Sequence, residues 1–302
     1  MKLLITGATG LVGSILVKKA VEAGHQIHFL STRINKTADQ SLGKGFYWNP
    51  QTGEIDMACF NGVETIIHLA GASISQRWTS KNKKEIMDSR VLGTRLLVNS
   101  IASLKGDHQV KQVIGASAIG IYPSSETTLY NESYLPKADS FLEQVVLAWE
   151  NEQEGFISDK ISLCKLRIGL VLTAKGGVLA PMKIPTSLGL GAAFGHGKQV
   201  QSWIHIDDLV QIILNAVDQR WSGVYNAVSP NPVTQKEFSK SLAKAMSRPF
   251  FLPPVPKFLI RLVAGEMSTL VFNSQNVSAS KLTDKGYQFI YPDLLPAMKS
   301  LL

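Results

Sequence analysis

Two kinds of apolar pattern alternate along the first half of the chain. Short unbroken apolar runs end in small residues, and longer stretches repeat apolar positions every three or four residues. The first kind reads as buried strand and the second as amphipathic helix. By this reading residues 1–6 form a strand, 11–23 a helix closed by Gly24, and 26–30 the next strand. Residues 34–60 are less regular, with a short strand and turn at Phe46-Tyr47-Trp48-Asn49-Pro50. A strand at 64–69 ends at Ala70-Gly71, a long helix runs from about 80 to 104, and a strand at 110–115 ends in Ala116-Ser117-Ala118. A helix over 140–156 and a strand over 161–166, ending at Arg167, complete the series. The alternation predicts an α/β fold, a Rossmann-type doubly wound parallel sheet that binds its ligand at the C-terminal strand ends.

Beyond about Gly176 the pattern changes. Gly189, Gly191, Gly195 and Gly197 crowd a loop that leads into Trp203-Ile204-His205-Ile206-Asp207-Asp208. Asp207 or Asp208 is placed to cap a helix over 209–217. A proline-rich break at 249–256 precedes a last helical segment, 257–264. We therefore expect a nucleotide-binding domain over 1–170, its sheet open to completion by later strands. Residues 171–302 are expected to form mainly a smaller C-terminal substrate lobe.

Composition narrows the class. The 302 residues are 45% hydrophobic, yet no apolar run approaches membrane-span length and the apolar start is too short for a secretory signal. Cys59 and Cys164 lie in apolar surroundings without metal-ligand spacing and read as reduced core thiols. A soluble, cytoplasmic protein with no membrane partner is expected, and no metal site. The formal net charge of +8 falls partly on Lys81, Lys83, Lys84, Arg90 and Arg95 of the long helix. Without interleaved aromatics or a nucleic-acid motif this is a solvated helix face, and no nucleic-acid partner is expected. Positive charge also suits anionic small ligands.

The chemistry is densest at Leu3-Leu4-Ile5-Thr6-Gly7-Ala8-Thr9-Gly10-Leu11-Val12-Gly13, a strand running through three glycines into a helix. Glycines allow a tight turn and a close backbone approach, and a helix N-terminus offers unpaired N–H groups to a pyrophosphate. The spacing is Gly-x-x-Gly-x-x-Gly, and the strand–turn–helix context is what a dinucleotide site requires. An acidic residue at the end of the second strand would accept from an NAD ribose. Here that place reads Ser31-Thr32-Arg33, with no carboxylate before Asp39. Arg33 can fork onto a 2′-phosphate and the two hydroxyls can donate to it, which favours NADP(H) over NAD.

Taken together, Thr6-Gly7-x-x-Gly10-x-x-Gly13, His68-Leu69-Ala70-Gly71 and Trp203-Ile204-His205-Ile206-Asp207-Asp208 resemble extended short-chain dehydrogenases/reductases. Gln76-Arg77-Trp78, Asp88-Ser89-Arg90, Ala148-Trp149-Glu150 and Gly189-Leu190-Gly191 are similar to an atypical group within them. That group is called epimerase family protein, or nucleoside-diphosphate-sugar epimerase-like. Residues 248–296 resemble its C-terminal domain, so the resemblance spans nearly the whole chain. It implies NADP contacts at Gly7, Gly10, Leu11, Val12 and Gly13 for the phosphates, and at Thr32 and Arg33 for the 2′-phosphate. Leu69, Ala70 and Gly71 would line the adenosine-ribose side. Glu85 and Arg90 match cofactor-facing positions, the alternative being an ordinary helix-face ion pair. Arg167 and Leu172 fall beside the nicotinamide end, although Arg167 equally suits a structural arginine.

One departure stands out. The superfamily's Tyr-x-x-x-Lys, in which the tyrosine exchanges a proton and the lysine lowers its pKa, is missing from residues 139–145 and their surroundings. Counting back from Trp149 puts Ser140 and Gln144 in those two places. Ser117 and Tyr122, just past a central strand, are the candidate proton donors, with turn capping and packing as the plainer alternative. His205 titrates near neutrality in principle but reads as scaffold. Two functions stay open: an NADP-dependent oxidoreductase or epimerase on a small polar substrate such as a nucleotide sugar, or a non-catalytic NADP(H)-binding regulator, some relatives being linked to cell division. A homodimer through sheet-flanking helices is common among such proteins.

Overall fold

The computed structural model describes residues 1–302, the Gln40 side chain excepted. Its strands are β1 (Lys2–Thr6), β2 (Gln26–Ser31), β3 (Lys44–Asn49), β4 (Glu54–Ile55), β5 (Thr65–His68), β6 (Gln112–Ala118) and β7 (Ser125–Tyr130). The second half adds β8 (Ser162–Ile168), β9 (Leu170–Leu172), β10 (Val200–Gln201), β11 (Trp203–His205), β12 (Gly223–Ala227), β13 (Val233–Thr234) and β14 (Gln275–Val277). The main helices are α1 (Leu11–Glu22), α2 (Ile34–Thr37), α3 (Ser80–Ser103), α4 (Phe141–Gln153), α5 (Leu179–Ser187), α6 (Ile206–Asp218), α7 (Gln235–Ala245), α8 (Lys257–Ala264) and α9 (Thr269–Phe272).

Eight strands form the large sheet in the order β12-β8-β6-β5-β1-β2-β3-β4, parallel throughout except for the β3–β4 edge. Strand order reverses at β1, between β2 on one side and β5 on the other, which opens a crevice above their C-terminal tips. Alternation along β1 fills both faces of the sheet. Leu3 and Ile5 pack with Leu16, Ile213 and Val217 of α1 and α6, while Leu4 packs with Leu97 and Ile101 of α3. Neither face is solvated, as a parallel sheet demands. The smaller lobe is built on a sheet ordered β13-β10-β14-β7 and on the β11–β9 pair. It therefore borrows β7 from the first half of the chain, just as the large sheet takes β12 from the second.

Helix α1 is seated directly on the end of β1. Gly7 turns the chain with φ +72°, Gly10 N–H donates to Gly7 C=O at 2.9 Å, and a Cβ at Gly13 would overlap that same carbonyl oxygen. Glycine at 13 is therefore a packing requirement and glycine at 7 a conformational one.

The capping expectation for α6 is corrected. The helix starts at Ile206, so both aspartates lie in its first turn and His205 is the cap, its Nδ1 accepting from Asp207 N–H at 3.1 Å. Asp208 is buried and turned to the C-terminal segment, accepting from Tyr287 OH at 2.9 Å, Ile290 N–H at 2.7 Å and Tyr291 N–H at 3.0 Å.

Replacing Gly13 by alanine is expected to cost about 3 kcal/mol by overpacking against a backbone that has nowhere to go. Gly53→Ala, at a positive φ with open space around it, should cost only about 1 kcal/mol. Urea unfolding of the two variants checks this; equal losses would show that the α1–β1 approach is not tight.

Candidate active site

The N-terminus of α1 is an uncapped donor cluster. Gly10 supplies no side-chain cap, the first turn carries no acidic residue, and the N–H groups of Leu11, Val12 and Gly13 have no acceptor among the described residues. Thr9, Gly10 and Leu11 are exposed, so a ligand can reach those donors. A diphosphate satisfies such a set, and the absent side chains at Gly7 and Gly10 leave room for it. Where β2 ends, Ser31 Oγ is occupied by the Arg33 backbone, bonding both its N–H and its C=O at 3.1 Å. Thr32 and Arg33 are exposed, and Arg33 has no carboxylate within ion-pair reach among the described residues. Asp39, the nearest carboxylate in sequence, is engaged by Ser41. The residues present fit a nicotinamide dinucleotide, and Arg33 leaves an unpaired cation at the end of β2.

The tips of β1 and β5 are locked by a chain of hydrogen bonds. Thr6 Oγ1 accepts from Leu69 N–H at 3.1 Å and Ala70 N–H at 3.0 Å, so its own proton goes to His68 Nδ1 at 2.7 Å. That fixes the tautomer: His68 Nε2–H donates to Thr94 Oγ1 at 3.1 Å, and Thr94 donates to Arg90 C=O at 2.7 Å. Burial, reinforced by the Arg90 charge, pushes the His68 imidazole down to about 4. The Leu69-Ala70-Gly71 turn is thereby held at the crevice, with Gly71 against the Arg90 guanidinium. Arg90 Nη1 donates to Ala72 C=O at 3.2 Å and Ile86 C=O at 3.0 Å, and its Cζ lies 5.1 Å from the Trp149 ring centre. It has no carboxylate partner among the described residues, and burial alone lowers it to about 10. Glu85 is exposed and makes no ion pair with Arg90, so the helix-face pair considered from sequence does not form.

Between the tips of β6 and β8 lies a cavity of about 180 Å³. Ala118 and Gly120 form one wall and Ile168–Leu170 another, while Gln201, Ser202, Asn273 and Gln275 face them from the smaller lobe. Helix α4 contributes Leu142, Val145, Val146 and Trp149. This corrects the register inferred from sequence. Ser140 is the α4 N-cap, accepting from Glu143 N–H at 3.3 Å, and Gln144 is exposed, so neither faces the cavity. The α4 residues that do face it, Leu142, Val145, Val146 and Trp149, make two pairs four apart, and none carries an ionisable group.

Neither Ser117 nor Tyr122 lines the cavity. Ser117 Oγ donates to Glu150 Oε1 at 2.5 Å; Tyr122 OH donates to Asn226 Oδ1 at 2.7 Å and accepts from Arg167 Nη1 at 3.0 Å. Arg167 also forks onto Glu150, Nε to Oε1 at 2.8 Å and Nη2 to Oε2 at 2.9 Å. All four side chains are buried. Burial acts to raise the Glu150 carboxyl, but the Arg167, Ser117 and Lys165 contacts outweigh it and hold the group below its usual value. Burial raises the Tyr122 phenol despite Arg167 beside it. The two proposed proton donors are therefore committed to a buried ion-pair network, because α4 sends Glu150 to meet Arg167. Leu172 is likewise enclosed, packed with Leu179 and Trp203 in the core of the smaller lobe. The cavity residues from β10 and β14 carried no sequence signal, whereas the 142/145/146/149 stripe was readable as apolar helical periodicity.

Sheet order, glycine turn and switch-point crevice define a Rossmann-type dinucleotide-binding α/β protein. More narrowly, the chain belongs to the epimerase family: residues 3–144 match the NAD dependent epimerase/dehydratase family, and residues 255–301 match a domain of unknown function, DUF1731. An epimerase family protein of Staphylococcus saprophyticus is 36% identical over 99% of this chain and 98% of its own length. The human epimerase family protein SDR39U1, whose crystal structure is with NADPH, superposes with TM-score 0.87 at 28% identity, covering 100% of this chain and 99% of that one. A nucleoside-diphosphate sugar epimerase from Corynebacterium glutamicum gives 0.78 at 27% identity, over 99% of this chain and 57% of that one. The UDP-N-acetylglucosamine 4-epimerase of Bacillus cereus, at 18% identity and TM-score 0.77, shares the fold.

Two outcomes follow from the buried groups. Glu150→Gln should cost about 3–5 kcal/mol by stranding the Arg167 charge, and Glu150→Gln combined with Arg167→Met should recover much of it in denaturant unfolding. His68, neutral in the fold until about pH 4, takes up a proton from about pH 6.5 downward when unfolded. Its contribution is therefore fully present above 6.5 and is lost as pH falls toward 4, roughly 3 kcal/mol in all. Unfolding free energies measured across that window should fall with acidification, and less steeply in His68→Gln; a flat native profile would contradict the buried neutral imidazole.

Proposed function

We propose that this protein is an NADP(H)-dependent oxidoreductase or epimerase acting on a small substrate held between α4 and the smaller lobe. The observation that carries the reading is Arg33, exposed and without a carboxylate partner at the end of β2, in line with the bare donors of α1. The NADPH in the structure of human SDR39U1 supports it. The nicotinamide would supply hydride chemistry, leaving this chain to bind and orient. Gly7, Gly10 and the first N–H groups of α1 hold the diphosphate, Thr32 and Arg33 the 2′-phosphate, and the Leu69–Gly71 turn the adenosine ribose. Arg90 stands between that turn and Trp149, positioned toward the cofactor.

A second reading has its own observation. Leu142 and Val146 can neither give nor take a proton where α4 lines the cavity, which favours an NADP(H)-binding regulator without turnover. Following NADPH absorbance against panels of carbonyl compounds and nucleotide sugars separates the two, since only the first consumes cofactor.

Arg33→Ala should weaken NADPH binding tenfold or more, from a charge-assisted contact of about 1.5–3 kcal/mol, while NADH affinity changes less than about twofold. Cofactor fluorescence enhancement measures both. Equal weakening of NADPH and NADH would show that Arg33 does not read the 2′-phosphate.

A further inference from the structure

The smaller lobe presents an apolar surface that nothing in the fold covers. No residue of α8 is buried; Phe258, Leu262 and Val263 are 68%, 77% and 82% exposed, and Leu259 lies on the same face. The preceding segment adds Phe251, and the end of α5 adds Leu188, 74% and 70% exposed. These pieces share one surface through the glycine loop. Gly189 lies against Pro249, Gly191 against Phe250, and Gly195 against Lys257. Soluble monomers rarely leave so many large apolar side chains together in water.

The same surface is strongly basic. From Ser229 to Ala264 the chain carries Lys236, Lys240, Lys244, Arg248, Lys257 and Arg261 against a single acidic residue, Glu237. Glu237 is already engaged as the capping-box partner of Thr234. All six basic residues are exposed, and none forms an ion pair among the described residues. The three lysines of α7 recur every fourth residue and so form one stripe, and Gly197 brings that stripe beside the loop that also touches Lys257.

We propose that this face is a peripheral docking surface for an anionic lipid bilayer. Aliphatic and aromatic side chains gain by entering the acyl boundary, while the flanking lysines and arginines meet headgroup phosphates. A second copy of the chain fits poorly, because an isologous contact sets the six cations against themselves. A nucleic acid would satisfy the cations but leave Leu188, Leu262 and Val263 without an apolar phase. Among the described residues no helix is long and apolar enough to cross a membrane, and the proposed contact is one of adsorption.

The test is co-sedimentation of the full chain with phosphatidylcholine vesicles, with and without an equal share of phosphatidylglycerol. The native chain should sediment only with the anionic vesicles and be released by high salt. Leu262→Glu with Val263→Glu should abolish sedimentation, and Lys257→Gln and Arg261→Gln should each weaken it roughly fivefold. Circular dichroism and NADPH affinity, unchanged in all variants, confirm that these surface substitutions leave the fold intact. Failure to bind anionic vesicles, or equal binding to neutral ones, overturns the proposal. So does a dimer seen by light scattering that the Leu262→Glu, Val263→Glu variant disperses.

Discussion

The close seat of α1 on the end of β1 is the constraint from which the rest of the site follows. Gly13 must lack a side chain because the Gly7 carbonyl occupies its space, and Gly7 must adopt a positive φ to present that carbonyl. Once the helix is seated, its first N–H groups emerge bare at the point where strand order reverses. The helix end thus supplies positive potential without any charged side chain. The Thr6–His68–Thr94 chain then holds the neighbouring strand tip at the same height, so both walls of the crevice are fixed before any ligand arrives.

The same molecule places a buried and a half-buried arginine in opposite circumstances. Arg167 is fully paired, forked onto Glu150 and bonded to Tyr122, and its work is to join α4 to the large sheet. Arg90 meets only backbone carbonyls and the Trp149 ring, and no carboxylate. A charge partly drawn out of water without a counter-charge carries a cost, one that functional sites often bear. This contrast gives the first arginine a structural role and supports the proposal that the second meets a ligand. On α4 the Glu150 carboxylate is directed into the sheet and Glu143 back to the helix N-terminus, so the stripe facing the cavity is apolar.

Much of this was legible in the sequence. The βαβ opening, the long helix, α8 and the glycine turn follow from apolar periodicity and from what glycine alone permits at residues 7 and 13. The absence of a carboxylate after β2 was equally plain at Ser31-Thr32-Arg33. What was not legible depends on the distance between elements far apart in the chain. Counting back from Trp149 gave Ser140 and Gln144, whereas the helical phase turns Leu142, Val145, Val146 and Trp149 to the cavity. Ser117 and Tyr122 looked free because Glu150, Arg167 and Asn226 are brought to them only by the fold. The Asp208 side chain, read with Asp207 as one of two candidate caps, instead anchors residues 287–291, about eighty positions later, and the cavity wall from Gln201 and Gln275 is likewise formed by residues far apart in the chain.

Calorimetric titration of the folded, unmodified chain with NADPH tests the account most directly. The bare helix terminus and Arg33 predict a single saturable binding event per chain. A titration that releases no heat, with NADPH giving no protection against thermal unfolding, would contradict the central claim that the Gly7–Gly13 turn is a dinucleotide cradle.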